Sequence, residues 1–368
     1  MEYHTREREL LERLEKDHSL SLEEYALLIR GQTKELTDLA AQKAAAIREQ
    51  VYGRDVYIRG LIEIGSFCKN NCYYCGIRRG NQGASRYRLT REDILGCCRE
   101  GYALGFRTFV LQGGEDGTRT DEWLCDLIRT IKAQYPDCAL TLSLGERSRE
   151  SYERLFEAGA DRYLLRHETA DKAHYEKLHP GELSFDNRME CLWNLKEIGY
   201  QTGCGFMVGS PGQTPETLAK DLKFVEEFAP AMCGIGPFIP HHSTPFAGKE
   251  PGSLSQTLYL LSLIRLISPG ILLPATTALG TIHPRGRELG ILAGANVVMP
   301  NLSPMENRKK YELYDNKICT GEESAQCRSS IEKRMATIGY ALVTDRGDTK
   351  VHNTKDGKSA RFPERKNQ

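Results

Sequence analysis

The chain has 368 residues, 50 Lys and Arg against 50 Asp and Glu, a formal net charge of zero, 40% hydrophobic and 27% charged residues. That balance supplies ample core and argues against a nucleic-acid binder, whose affinity rests on an excess of Lys and Arg. No run of 18 apolar residues could span a membrane, and the opening MEYHTRERELLERLEKD lacks the apolar segment of a secretory signal, so a cytoplasmic location is expected and the twelve cysteines read as metal ligands or core rather than a disulfide framework.

Residues 5–50 read as two polar amphipathic helices, with Ser21 and Glu24 spaced as a capping box. They predict an N-terminal helical extension over 1–54, a lid or a packing layer. From residue 61 one pattern repeats: a short apolar run, a loop rich in Gly, Ser, Pro or charge, then a helical stretch. The runs are LIEI (61–64), TFVLQ (108–112), ALTLSL (139–144), RYLLR (162–166), GFMV (205–208), CGIGPFI (233–239), ILLPA (271–275) and NVVM (296–299). Thr90 and Thr214-Pro215 open two of the helices between them. Eight βα units predict a TIM-like (β/α)8 barrel over 55–305, with an open doubly wound sheet as the alternative. Residues 306–368 turn polar, with one helix near 328–340 and a last stretch of fifteen residues that reads as disordered.

In such a barrel the loops at the strands' carboxyl ends build the active site. The first of them carries Cys68, Cys72 and Cys75 as C-x3-C-x2-C, with Tyr74 before the last thiol. Three thiolates on one loop can hold a cubane iron–sulfur cluster and leave its fourth iron open. A Cys3His zinc site is the bland alternative, but no paired knuckle or convincing His accompanies them. Cys97, Cys98, Cys125, Cys138, Cys191, Cys204 and Cys233 are scattered over helices and strands and read as core. His241-His242 reads as a loop pair at the barrel mouth, since adjacent histidines seldom ligate one ion.

The cysteine loop resembles the radical SAM superfamily. The ordered series GLIEIGSFCKNNCYYCGIRRGN, VLQGGED, LTLSLGE, DRYLLRHETA, MVGSPGQT, GIGPFIPHHSTP, PATTALGT and ANVVMPNLSP narrows the resemblance, from about residue 55 to about 320, to the HydE family of FeFe-hydrogenase maturases. The resemblance implies a three-Cys 4Fe-4S cluster on Cys68, Cys72 and Cys75, and S-adenosylmethionine (SAM) touched by Tyr74, Gly113, Gly114, Glu115, Glu168 and Arg188. It further implies a substrate cavity lined by Thr141, Ser143, Arg166, Thr276, Thr277 and Tyr314. A reduced flavodoxin or ferredoxin would supply electrons. The substrate would be a small sulfur-containing iron species from the partner maturase HydG, with product passing toward HydF. Two other functions remain open: a radical SAM amino-acid mutase of the methylornithine-synthase type, and a non-catalytic iron–sulfur scaffold or electron carrier. The chain departs from the family where some members carry a second cluster on C-x7-C-x2-C. Cys319 and Cys327 match, but Ser330 holds the third place. Serine is a poor ligand there, so this second site is expected to be vestigial.

Overall fold

The computed structural model describes residues 5–318 and 324–351, the side chain of Ala325 apart. Its strands are β1 (Asp55–Ile58), β2 (Gly60–Gly65), β3 (Thr108–Gly113), β4 (Ala139–Ser143), β5 (Arg162–Leu164), β6 (Gln201–Cys204), β7 (Met207–Val208), β8 (Met232–Cys233), β9 (Gly236–Pro237), β10 (Val297–Val298) and β11 (Ala341–Val343). Six of them form a parallel sheet in the order β2-β3-β4-β5-β6-β8. Three parallel bridges close it into a ring: Met232 with Leu272, Pro274 with Val297, and Asn301 with Leu61. The ring therefore has eight staves, two of them held by only one or two residues, and the barrel expectation is met.

All six residues of β2 are buried, the pattern of a strand covered by helices outside and side chains inside. The helices around it start where the sequence supplies a cap: Thr90, Thr120, Ser148, Ser184, Thr214 and Ser253 each accept a bond from the first helical turn. Register fixes which residues enter the barrel. Arg162 and Thr108 meet inside it, and Thr141 pairs with both Val110 and Arg162. Glu63, Gln112, Thr141, Ser143 and Arg162 therefore share the inner face.

Three sequence expectations are corrected. The run GFMV is not the fifth stave; Gln201–Cys204 fills that place, and the chain breaks at Gly205 before β7. Gly205 has φ +155°, and a Cβ there would lie 2.1 Å from the Gly234 carbonyl oxygen, so β6 and β8 approach too closely for any side chain. CGIGPFI is split at the same level into β8 and β9. Residues 5–50 form three helices rather than two, Thr5–Asp17, Leu22–Arg30 and Lys34–Tyr52, because Thr33 caps a new start. They are a packing layer on the barrel's outer helices: Tyr25 donates to Glu226, and Tyr259 donates to the Leu28 carbonyl.

The polar C-terminal region is more ordered than its composition suggests. Its helix runs Ser324–Thr337, and β11 pairs in parallel with β1, which also pairs with β10. Residues 346–350 then cross the amino end of the barrel. The fully buried Arg162 donates to the Arg346 carbonyl (2.8 Å) and to Asp348 Oδ1 (2.7 Å), and Lys350 N donates to the Gly270 carbonyl (3.2 Å). This segment is the barrel's floor. The fifteen residues expected to be disordered lie outside the described residues. At the other end, residues 311–318 run across the mouth, between the cysteine loop and the loop carrying His241 and His242. No helix among the described residues is long and apolar enough to cross a membrane.

Candidate active site at the barrel mouth

The cysteine loop leaves β2 and is pinned on three sides. Lys69 N donates to the Glu115 carbonyl (2.9 Å), Tyr73 N to the Leu178 carbonyl (3.0 Å), and Gly76 N to the Leu313 carbonyl (2.9 Å). Gly114 is the pad beneath it, because a Cβ there would meet Phe67 O at 2.4 Å and Cys68 Cβ at 2.6 Å. Glu115 knots the same turn: Oε1 accepts from Glu146 N (2.9 Å) and Oε2 lies 3.2 Å from Lys69 Nζ.

Cys68, Cys72 and Cys75 are half-buried, whereas the other eight described cysteines are buried, as the core reading of seven of them requires. Burial pushes the Cys72 thiol up to about 12, against the pull of Arg188 and with Cys68 adding to the rise. Cys75 is driven upward by burial and by Cys72 and Cys68; burial also raises Cys68. Three such thiols resist ionising on their own, and a cationic metal centre reverses that preference. The chemistry of the donor set, three thiols with no described fourth, fits a cluster with one iron open.

Tyr74 sits between these thiols and the helix Lys172–Leu178. His179 Nδ1 bonds the Tyr175 carbonyl (2.9 Å), so its Nε2 accepts from the Tyr74 hydroxyl at 3.1 Å. Burial holds His179 neutral, down to about 3.

Glu168 follows β5 and is the least ordinary residue of the site. Its φ is +64°, a left-handed conformation costing about 1–3 kcal/mol in a non-glycine residue and concentrated at functional positions. It is 7% exposed, and its Oε2 has no hydrogen-bond partner, although Arg166 Nη2 lies 3.2 Å away outside bonding geometry. Arg166 Nε and Nη2, Thr141 Oγ1, Thr276 Oγ1 and Tyr175 Oη are likewise buried and without a hydrogen-bond partner. An orphaned buried hydroxyl costs about 1–3 kcal/mol, so such atoms gathered at the site point to a missing ligand. Arg188 is already engaged, donating from Nε to Glu146 and from Nη1 to the Arg166 carbonyl (2.7 Å).

The remaining expected residues are at the same end. Ser143 ends β4 half-buried; Thr276 stands just before, and Thr277 opens, the short helix Thr277–Ile282 rather than extending a strand, and the Thr276 side chain makes no capping bond. Tyr314 is half-buried in the segment across the mouth. Cys327 is buried in the core while Ser330 is exposed, and Cys319 lies outside the described residues. His241 and His242 stack at the mouth, and His242 Nδ1 bonds Asp315 Oδ1 (2.7 Å).

Sequence reasoning missed several contributors. Inside the wall Glu63 accepts from Asn301 (2.9 Å) and pairs with Lys317 of the overlying segment. An acid within the first apolar run was a usable signal for Glu63. Glu146 and His179 gave none, because each acts through a partner far along the chain.

Residues 62–225 match the radical SAM superfamily model. Across 346 residues the chain is 45% identical to the FeFe hydrogenase maturase subunit HydE of Thermotoga maritima, covering 93% of this chain and 97% of that one. It is 29% identical to the 3-methylornithine synthase of Methanosarcina acetivorans over 89% of this chain and 92% of that one. The crystal structure of methylornithine synthase (PylB) superposes with a TM-score of 0.80 at 26% identity, covering 91% and 97%. The maturase HydG shares the fold at TM-score 0.76 and 21% identity, covering 91% of this chain and 75% of that one.

The barrel and its cysteine loop thus define a radical SAM enzyme, a class that works with a 4Fe-4S cluster and SAM. Identity at this level over nearly the whole chain is more particular: the protein belongs to the HydE family of FeFe hydrogenase maturases.

Proposed function

We propose that the chain holds one 4Fe-4S cluster on Cys68, Cys72 and Cys75, binds SAM beside it, and acts on a small sulfur-containing iron substrate during assembly of the H-cluster of FeFe hydrogenase. The observation that carries this reading is the pairing of three half-buried thiols with a strained Glu168 whose buried carboxylate oxygen has no hydrogen-bond partner and only the Arg166 guanidinium nearby. A cluster held by Cys68, Cys72 and Cys75 would supply, when reduced, the single electron needed for reductive cleavage of SAM bound beside it.

The chain's own residues bind and orient. Glu168 Oε2 accepts a hydrogen bond from SAM, and Arg188, steadied by Glu146, attracts its carboxylate. The edge formed by Gly113, Gly114 and Glu115 takes the amino group, and Tyr74 packs alongside with its hydroxyl tied to His179. Thr141, Ser143, Arg166, Thr276, Thr277 and Tyr314 line the substrate chamber, whose closed wall keeps a carbon radical from water. Cys319 and Cys327 do not form a second cluster. The barrel of 55–305 is the catalytic unit, and 1–54 and 306–368 support it. Electrons come from a flavodoxin or ferredoxin in the cytoplasm; HydG delivers substrate and HydF receives product.

The test is reconstituted maturation of an apo-hydrogenase with HydG, HydF, SAM and a reductant. Activation should require this chain and fail with Cys68→Ala/Cys72→Ala/Cys75→Ala; activation without the chain overturns the reading. A second reading, an amino-acid mutase, is favoured by the fit to methylornithine synthase. It predicts amino-acid isomerisation and no activation.

A further inference from the structure

Asp221 lies on the outer helix Pro215–Phe228 and is 0% exposed. Its Oδ1 accepts from Ala170 N at 2.6 Å and lies 3.3 Å from His167 Nε2. Those two contacts straddle Glu168, one residue before it and two after. His167 is itself fixed, since its Nδ1 accepts from Gly205 N (3.3 Å); its Nε2 packs against the carboxyl outside hydrogen-bond geometry. Glu168 N donates to the Gly205 carbonyl (3.0 Å) and Glu168 bridges to Phe206. The backbone of Glu168 is thus gripped from the strand side by Gly205 and from the helix side by one carboxyl group.

A left-handed non-glycine residue persists only where its surroundings over-determine it. An ordinary core helix does not bury an acid among Leu218, Leu222 and Val225 without use, because an unpaired carboxyl there is costly. Burial drives Asp221 upward and His167 down to about 3, so it disfavours the charged form of each. We propose that Asp221 is a positioning residue for SAM: through its bond to Ala170 N and its packing on His167 it holds Glu168 in the strained conformation that presents its carboxylate to the site. This rests on the proposed SAM site.

The test uses the reconstituted, cluster-loaded protein and titrates SAM against the electron paramagnetic resonance signal of the reduced cluster. Asp221→Ala should weaken SAM binding about tenfold or more, with iron and sulfide content per chain unchanged. Asp221→Asn, which keeps Oδ1, should stay within about threefold of wild type. In a Glu168→Gln background, Asp221→Ala should add less than about twofold, because the group it positions is already altered. If Asp221→Ala fails to hold a cluster, His167→Phe carries the same expectation with ring volume kept. Wild-type SAM affinity in Asp221→Ala or His167→Phe, or multiplying effects with Glu168→Gln, overturns the inference. A wild-type signal indifferent to SAM would instead overturn the SAM site itself.

Discussion

Gly114 offers the sharpest test of how the cysteine loop is seated. Its Cβ would stand 2.4 Å from Phe67 O and 2.6 Å from Cys68 Cβ, where 3.4 Å is ordinary contact. Both obstacles are rigid, one a backbone atom and the other the first side-chain carbon of Cys68, a ligand of the proposed cluster. Gly114→Ala must therefore push the loop back by about 0.8–1 Å. Overpacking of this kind costs about 1–3 kcal/mol, which the folded chain should survive. A displacement near 1 Å at a reacting centre costs up to about 100-fold in rate. The expected outcome is a soluble protein with reduced iron loading and 5′-deoxyadenosine formation down roughly 10–100-fold per cluster. Gly117→Ala is the matched control, since nothing lies within 4 Å of its Cβ. Iron and sulfide analysis with chromatographic quantification of 5′-deoxyadenosine decides it. A Gly114→Ala protein with wild-type loading and rate would refute the reasoning, and a control that fails equally would show that the loop is merely fragile.

Three further predictions follow from the same contacts. Thr141→Val removes a buried, unpartnered hydroxyl at constant shape, so the protein should keep or gain up to about 1 kcal/mol in thermal unfolding while losing substrate turnover. Burial alone would raise the Asp348 carboxyl, but Arg346, Gln201 and Arg162 outweigh it and hold it well below the usual carboxylate range. A depressed folded value contributes stability above the unfolded value of about 3.9, lost as pH falls below it; melting temperature should drop on the acid side in wild type, and less so in Asp348→Asn. Cys319→Ser/Cys327→Ser should leave about four irons per chain and intact maturation, whereas abolished maturation would restore a role for the second site.

The barrel and the cysteine loop were legible because their signals are local. Apolar runs of four to seven residues, cap residues and three spaced thiols need no knowledge of distant chain. The strand that leads into the floor was not legible: β11 is exposed or half-buried along its length, and its partner β1 lies almost three hundred residues earlier. The breaks at Gly205 and Gly234 depend on how closely two staves approach, which periodicity does not encode. Asp221, within ETLAKDLKFVEEF, looks like one more acid on an amphipathic helix; only packing turns it toward Ala170 and His167. Glu168 was found by its motif, but its strain is visible only in the backbone.

The most direct measurement is anaerobic. The chain is loaded with iron and sulfide, reduced with dithionite and given SAM, and 5′-deoxyadenosine is quantified beside Cys68→Ala/Cys72→Ala/Cys75→Ala. Formation by wild type alone is the predicted result. A fully loaded, reducible wild-type cluster that yields none would contradict the radical SAM account and leave an iron–sulfur scaffold in its place.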